Sequence, residues 1–198
     1  MAKVHNKNTG FFPEGTISKT RLIALITMLA ALSNVMTLVS MPISIMGVAT
    51  RIHFTQLPVL TAALGIGPLA GGLVGLIGAT SMAFSVMPPN PFIILYNGLL
   101  GFFAGLFYII LRRRRRHILI AQLAAVLGAY IVQTPFVWTL NTQIIGIPAV
   151  VVQVILIKLL FEDVASTLIN HPILYRINLV ERVRRKTSPP KDTVPVKD

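Results

Sequence analysis

The sequence predicts an all-α membrane protein, a bundle of six membrane-spanning helices with both termini on the cytoplasmic side. Hydrophobic residues make up 54% of the 198 residues and charged residues only 12%, and the mean hydropathy is +0.75. Ordinary soluble domains carry roughly twice that charged fraction. Apolar runs long enough to span a bilayer indicate the helices, and the placement of lysine and arginine indicates their orientation.

Four segments each contain the ~20 mostly apolar residues that one spanning helix needs. These segments are Leu22–Met41, Phe92–Leu111, Ile118–Leu140 and Ile144–Phe161. A fifth apolar stretch, Leu57–Met87, is too long for one span, and Pro68 after Gly67 is expected to break it. We therefore expect two short, tilted helices there, and a re-entrant hairpin is the alternative.

Small residues recur every four positions in this fifth stretch, at Gly67, Gly71, Gly75 and Ala79. On a helix this spacing places them in one groove, where another helix backbone can approach closely. The pattern predicts a tightly packed helical hairpin.

The basic residues determine the predicted orientation. Of 18 lysines and arginines, four lie in the segment that ends at Arg21, five form the run Arg112–Arg116, and seven lie from Arg176 onward. Because basic segments stay in the cytoplasm, both termini and the arginine run are predicted there, and Leu57–Met87 must cross the membrane an even number of times.

The predicted organisation is a cytoplasmic tail (residues 1–20), a transmembrane domain (21–175) and a basic, disordered cytoplasmic tail (176–198). The net charge of +12 then reflects topology and attraction to the anionic lipid bilayer. Nucleic-acid binding is not expected, since no aromatic stacking residues accompany the arginine run.

The chain offers little for catalysis inside a membrane. All six carboxylates are expected in the tails or at the inner end of the last span, the four histidines show no metal-ligand spacing, and cysteine is absent. Neither a nucleophile elbow nor a phosphate-binding Walker sequence occurs. We therefore expect no enzyme, no metal and no cofactor. Lys158, inside the last predicted span, is expected to pair with Glu162 and to extend toward the inner surface.

Neutral polar and aromatic side chains, with one basic pair, collect in the predicted outer half of the bundle. The candidate substrate-binding residues are Arg51, His53, Phe54, Gln56, Asn90, Tyr96, Asn97, Gln133, Trp138, Asn141 and Gln153. Amides that fix hydrogen bonds and rings that stack on a flat molecule suit a small polar heterocycle. For any single amide the alternative is a hydrogen bond between helices, and for Tyr96 and Trp138 it is an interfacial aromatic belt.

Thr20, Ala24, Thr27 and Ala31 form a narrow stripe of small residues along the first helix. Inside the bundle such a stripe would serve helix packing, whereas on the outside it would be a docking surface for another membrane subunit. The sequence leaves both interpretations open.

The segment HFTQLPVLTAALGIGPLAGGLVG leads from a polar loop through a short helix and a Gly-Pro turn into a glycine-rich helix. It resembles the substrate-binding S component of energy-coupling factor (ECF) vitamin transporters, and the similarity extends over about residues 21–170. The resemblance implies a binding subunit in a prokaryotic cell membrane. Such a subunit captures a vitamin from outside and docks onto a coupling membrane protein that carries two ABC-type ATPases.

The resemblance also suggests roles for particular residues. It places Arg51–Gln56 in the pocket and its gate, and Asn97, Gln133 and Gln153 on the pocket walls. The first helix would face the coupling protein through a pair of alanines four residues apart. This sequence departs from that pattern, because it offers Thr20/Ala24 and Thr27/Ala31 instead.

Two other functions compete with this one. A self-sufficient channel or secondary carrier is expected to show ionisable residues along its pathway and often repeated halves, and the sequence shows neither. A membrane scaffold would bind no small molecule. The vitamin stays open: a flavin-like ring compound is slightly preferred, while a corrinoid, pantothenate and folate remain alternatives. The lack of outer carboxylates disfavours a cationic vitamin such as thiamin.

Overall fold

The computed structural model describes residues 19–85, 89–112 and 117–187, with side chains as far as residue 176. The described chain is mostly helical. In order, its elements are α1 (Lys19–Met36), β1 (Ser40–Ile45), β2 (Val48–His53), α2 (Gln56–Gly65), α3 (Pro68–Gly78), α4 (Thr80–Ser85), α5 (Phe92–Arg112), α6 (Ile118–Thr139), a π-helical turn (Leu140–Ile144) and α7 (Ala149–Thr187).

Three helical stretches within the described residues are long and apolar enough to cross a membrane: Pro68–Ser85, Phe92–Arg112 and Ile118–Ile144. The last two match predicted spans closely. Helix α1 ends earlier than predicted, because the chain enters a β-strand at Ser40. The six-span count and the cytoplasmic position of both termini stay predictions.

The predicted break in Leu57–Met87 is confirmed. Helix α2 ends at Gly65 and α3 begins at Pro68, while Gly67 between them adopts a φ of 142°. Proline suits the first turn of a helix, where its missing N–H is not needed, and only glycine adopts that φ without strain. The stretch also forms the short helix α4, which was not predicted.

The glycine groove is confirmed for Gly71 and Gly75, the two residues of the predicted pattern that lie within α3. A Cβ added to Gly71 would lie 2.5 Å from the carbonyl oxygen of Gly101 on α5, and one added to Gly75 would lie 2.1 Å from that of Asn97. The backbones of α3 and α5 therefore touch where a larger side chain would separate them. Gly67 and Ala79 flank this helix rather than continue its groove.

The all-α prediction is wrong for the segment that connects the first predicted span to Leu57–Met87. Strands β1 and β2 pair there as an antiparallel hairpin, with Ser40 opposite His53 and Ile45 opposite Val48. Met46 and Gly47 form its two-residue turn with φ of 52° and 79°. Positive φ at both central positions belongs to the type I′ turn, whose twist matches that of paired strands.

Helix α7 continues past the predicted end of the last span at Phe161 and reaches Thr187. Residues 176–187, predicted to begin a disordered tail, are therefore helical. Residues 188–198 and residues 1–18 lie outside the described part of the chain, as do residues 113–116 of the arginine run.

Candidate functional site

A cavity of about 170 Å³ lies among α5, α6 and α7 and is partly open to the surface. The start of α2, helix α4 and the segment between α6 and α7 complete its wall. The lining residues are Gln56, Met82, Asn90, Ile93, Tyr96, Asn97, Leu100, Gln133, Val137, Asn141, Ile145, Ile147, Ile155 and Leu159. Among these, none carries a charge, so the cavity favours a neutral, mainly apolar occupant with a few polar groups.

One wall of the cavity is organised by Asn141. Its Oδ1 accepts a hydrogen bond from Asn90 Nδ2 at 2.9 Å, and its Nδ2 donates to the hydroxyl oxygen of Tyr96 at 3.0 Å and to the carbonyl of Val137 at 2.7 Å. Each buried polar atom of Asn141 thus has a partner in the protein. Asn141 fixes the positions of Asn90 and Tyr96 rather than offering free hydrogen-bonding capacity.

Gln133 on α6 differs from Asn141 in this respect. It is 2% exposed, and its Oε1 has no hydrogen-bond partner among the described residues. A buried acceptor without a partner costs free energy, of the order of 1–3 kcal/mol. Because Gln133 lines the cavity, a bound molecule with an N–H or O–H group could satisfy it.

Gln56, at the first position of α2, connects the cavity to a buried ionic pair. Its Nε2 donates to Glu162 Oε2 at 3.3 Å, and its Oε1 accepts from the Thr55 hydroxyl at 3.1 Å. Lys158 Nζ lies 3.5 Å from Glu162 Oε1. A buried charged pair therefore lies next to the cavity, while the described lining residues themselves carry no charge.

Six of the eleven predicted substrate-binding residues come together around the cavity. They are Gln56, Asn90, Tyr96, Asn97, Gln133 and Asn141. The other five are not among the lining residues. Arg51 and Gln153 are exposed, and His53, Phe54 and Trp138 are half-buried.

The sequence reasoning missed the apolar majority of the wall. Met82 lies on the short α4, and Ile145 and Ile147 lie in the irregular segment before α7. Ile155 and Leu159 were missed for a different reason, since both lie on a regular helix, four residues apart. That spacing placed them on one face of α7, but among many apolar residues nothing distinguished a cavity wall from a lipid-facing surface.

Two carboxylates that were predicted at the inner end of the last span, Glu162 and Asp163, lie in the interior of the described bundle, and their burial was not predicted. Glu162 is 2% exposed and contacts the turn before α2, and Asp163 is fully buried. Lys158 pairs with Glu162 as predicted, but it is 6% exposed and does not extend to the surface. The reason is tertiary: α2 packs against α7, where Asn170 Nδ2 donates to the carbonyl of Leu57 at 2.9 Å.

The stripe of small residues on α1 lies on the outside of the described bundle. Thr20, Ala24, Thr27 and Ala31 are all exposed, whereas Ala30 and Ser33, on another side of the helix, are buried. Packing within this bundle therefore does not account for the stripe. A docking surface is the interpretation that fits its exposure, and it stays a prediction.

Comparison with known proteins adds an independent observation. A family model described as "ECF-type riboflavin transporter, S component" matches residues 17–178. A solved structure, described as "Structure and mechanism of the S component of a bacterial ECF transporter", superposes with a TM-score of 0.54 at 21% sequence identity. The match covers 87% of this chain and 100% of that chain, and at this identity it establishes the fold alone. No curated protein sequence matches significantly.

Proposed function

The chain belongs to the family of S components of ECF-type riboflavin transporters, and we propose on this basis that it binds riboflavin in the cavity among α5, α6 and α7. Members of this family are membrane-integral, substrate-binding transport subunits and not enzymes. In the proposed cycle the chain takes up riboflavin from outside. It then delivers the vitamin by docking onto a coupling membrane protein with two ATPases.

The observation that carries the proposal is the uncharged cavity with an unsatisfied acceptor on its wall. Riboflavin is a neutral molecule with a flat ring system that carries an N–H group, and its polyol tail carries hydroxyl groups. Its donors match the free Oε1 of Gln133, and its ring suits the Tyr96 side chain and the apolar wall. An apolar cavity of about 150 Å³ holds a molecule the size of benzene. A flavin would therefore fill the cavity of about 170 Å³ and extend through its open side.

Charge supports riboflavin over its phosphorylated derivatives. Arg51, the basic residue expected to attract an anionic group, is exposed and is not among the lining residues. A phosphate in the cavity would lose its hydration without gaining a cation on the described wall, and burying an unpaired charge is costly. We expect riboflavin to bind more tightly than flavin mononucleotide.

Docking is assigned to the exposed face of α1, which points away from the described bundle. The exposed stripe from Thr20 to Ala31 lets another helix approach closely, as small residues do in membrane helix pairs. The orientation that this requires, with six spans and both termini in the cytoplasm, rests on the distribution of basic residues.

The first experiment is mass spectrometry of small molecules released by denaturing the purified, detergent-solubilised protein. Riboflavin recovered near one molecule per chain would support the proposal, and another vitamin would replace riboflavin in it. If the protein is empty, titration with riboflavin follows, with the flavin's own fluorescence as the signal. Failure to bind riboflavin or any other member of a vitamin panel would contradict the proposal and favour a scaffold.

A further inference from the structure

Glu162 joins two parts of the structure that are more than a hundred residues apart in the sequence. Its Oε1 accepts a hydrogen bond from the backbone N–H of His53 at 2.6 Å, and its Oε2 accepts one from Gln56 Nε2 at 3.3 Å. Lys158, one turn earlier on α7, lies 3.5 Å from Oε1. Glu162 therefore joins the end of the β-hairpin, the first residue of α2 and the helix that carries it.

The segment that Glu162 holds has a defined place in the architecture. Residues 53–56 connect the β1–β2 hairpin to α2, and Gln56 is also a lining residue of the cavity. A second contact, from the Ser33 hydroxyl to the carbonyl of Thr55 at 2.9 Å, ties the same turn to α1. The Glu162 contacts tie the turn to α7, which forms another wall of the cavity.

The chemistry at this position requires a carboxylate. Both contacts to the turn need an acceptor, and an ionised carboxylate provides two acceptor oxygens and no donor. A glutamine has the same shape but one acceptor and one donor, so either orientation of its amide sets an N–H group against one of the two donors. The nearby Lys158 supplies the opposite charge that a buried carboxylate needs.

We propose that Glu162 is a positioning residue: it holds the hairpin and the start of α2 against α7 and thereby orients Gln56 toward the cavity. The consequence for binding, which rests on the proposed function, is that Glu162 slows dissociation of the ligand. Movement of the hairpin away from α7 requires both hydrogen bonds to a buried charge to break.

The adjacent residue provides a matched control. Asp163 is also a fully buried carboxylate of α7, but its two carboxylate oxygens have no hydrogen-bond partner among the described residues. Asp163→Asn therefore removes a buried acid next to Glu162 without removing a described contact to the hairpin. If Glu162→Gln and Asp163→Asn differ in hairpin position or ligand dissociation, the difference is due to the contacts of Glu162 with the hairpin and α2, because both variants lose a buried carboxylate.

The absence of cysteine from the sequence allows the hairpin position to be measured directly. Spin labels on Ser44→Cys in β1 and Ile110→Cys in α5, both exposed positions, give a distance distribution by pulsed electron paramagnetic resonance. We expect one narrow distribution for the labelled parent and for Asp163→Asn. Glu162→Gln should broaden it, and ligand dissociation from this variant should be roughly 10- to 100-fold faster, the range for losing a hydrogen bond to a charged group.

A distribution for Glu162→Gln as narrow as that for Asp163→Asn would overturn the proposal. If Glu162→Gln does not fold, the double variant Lys158→Met/Glu162→Gln restores charge balance while still lacking the second acceptor. It should also broaden the distribution, and a narrow one would overturn the proposal equally. A broadened distribution in a protein that binds no vitamin would support the positioning role while contradicting the proposed function.

Discussion

Replacing Gly75 by alanine tests whether the contact between α3 and α5 positions the cavity. A Cβ at Gly75 would lie 2.1 Å from the carbonyl oxygen and 2.5 Å from the carbonyl carbon of Asn97, and 2.9 Å from the backbone nitrogen of Gly98. All three atoms belong to the backbone of α5, so no side chain can rotate away. The helices must separate by roughly 1 Å, and overpacking of this kind costs about 1–3 kcal/mol.

Gly72, three residues earlier on the same helix, is the matched control. Its Cβ would lie 3.4 Å from the nearest atom, Cβ of Phe102, which is an ordinary contact. Alanine there should be neutral or slightly stabilising, because it favours the helix by roughly 0.5–1 kcal/mol over glycine.

The measurement is the melting temperature in detergent together with riboflavin affinity. For a chain of this size 1–3 kcal/mol corresponds to a Tm lower by roughly 2–12 °C for Gly75→Ala. Its affinity should fall as well, since Asn97 lines the cavity. Equal Tm values for Gly75→Ala and the wild type, or a larger loss for Gly72→Ala, would refute the packing argument.

Three other predictions follow from single contacts. Gln133→Ala should weaken riboflavin binding by roughly 2- to 10-fold, the value of one hydrogen bond, with little change in Tm. Asn141→Ala should instead lower Tm, because the hydrogen-bond partners of Asn141 are within the protein. Riboflavin titration and melting curves of the two variants test this difference. Burial, with the charge of Lys158, lowers the pKa of His53 from 6.5 to about 4, so between these pH values the unfolded chain binds one more proton and stability falls as the pH falls. His53→Asn should therefore lose less Tm than the wild type between pH 7 and pH 5. An equal loss of Tm would contradict the lowered pKa of His53. Ala24→Leu should leave riboflavin binding intact but abolish copurification with the coupling protein and ATPases, and normal copurification would exclude this face of α1 as the docking surface.

The helices could be predicted because their signals are local. The α5 and α6 spans follow from apolar length, and the break between α2 and α3 follows from the backbone restrictions of Gly67 and Pro68. The groove at Gly71 and Gly75 follows from a spacing of four residues on one helix face. None of these inferences requires knowledge of which helix packs against which.

The hairpin and the burial of the charged residues depend on less obvious signals. Strand β1 contains Pro42, which cannot donate a ladder hydrogen bond, and its turn uses Met46-Gly47 rather than the usual Asn-Gly, so the hairpin pattern is weak. Glu162 was predicted near the inner end of the last span because that span was expected to end at Phe161. The burial of Glu162 follows instead from tertiary contacts, which bring His53 and Gln56 to it across more than a hundred residues of sequence.

Composition predicted a site of amides and aromatic rings, but side-chain direction determines which of these residues line the cavity. Gln133 and Gln153 are both amides in the outer parts of predicted spans, yet one is buried at the cavity and the other is exposed. Burial alone is also insufficient, since Asn141 lines the cavity with its hydrogen-bonding atoms already used by the protein. The residues that can distinguish one ligand from another are those that face the cavity and keep unused hydrogen-bonding capacity. By this criterion we expect Gln133 to contact the ligand directly, and we expect Asn141 and Glu162 to act by fixing the positions of other lining residues.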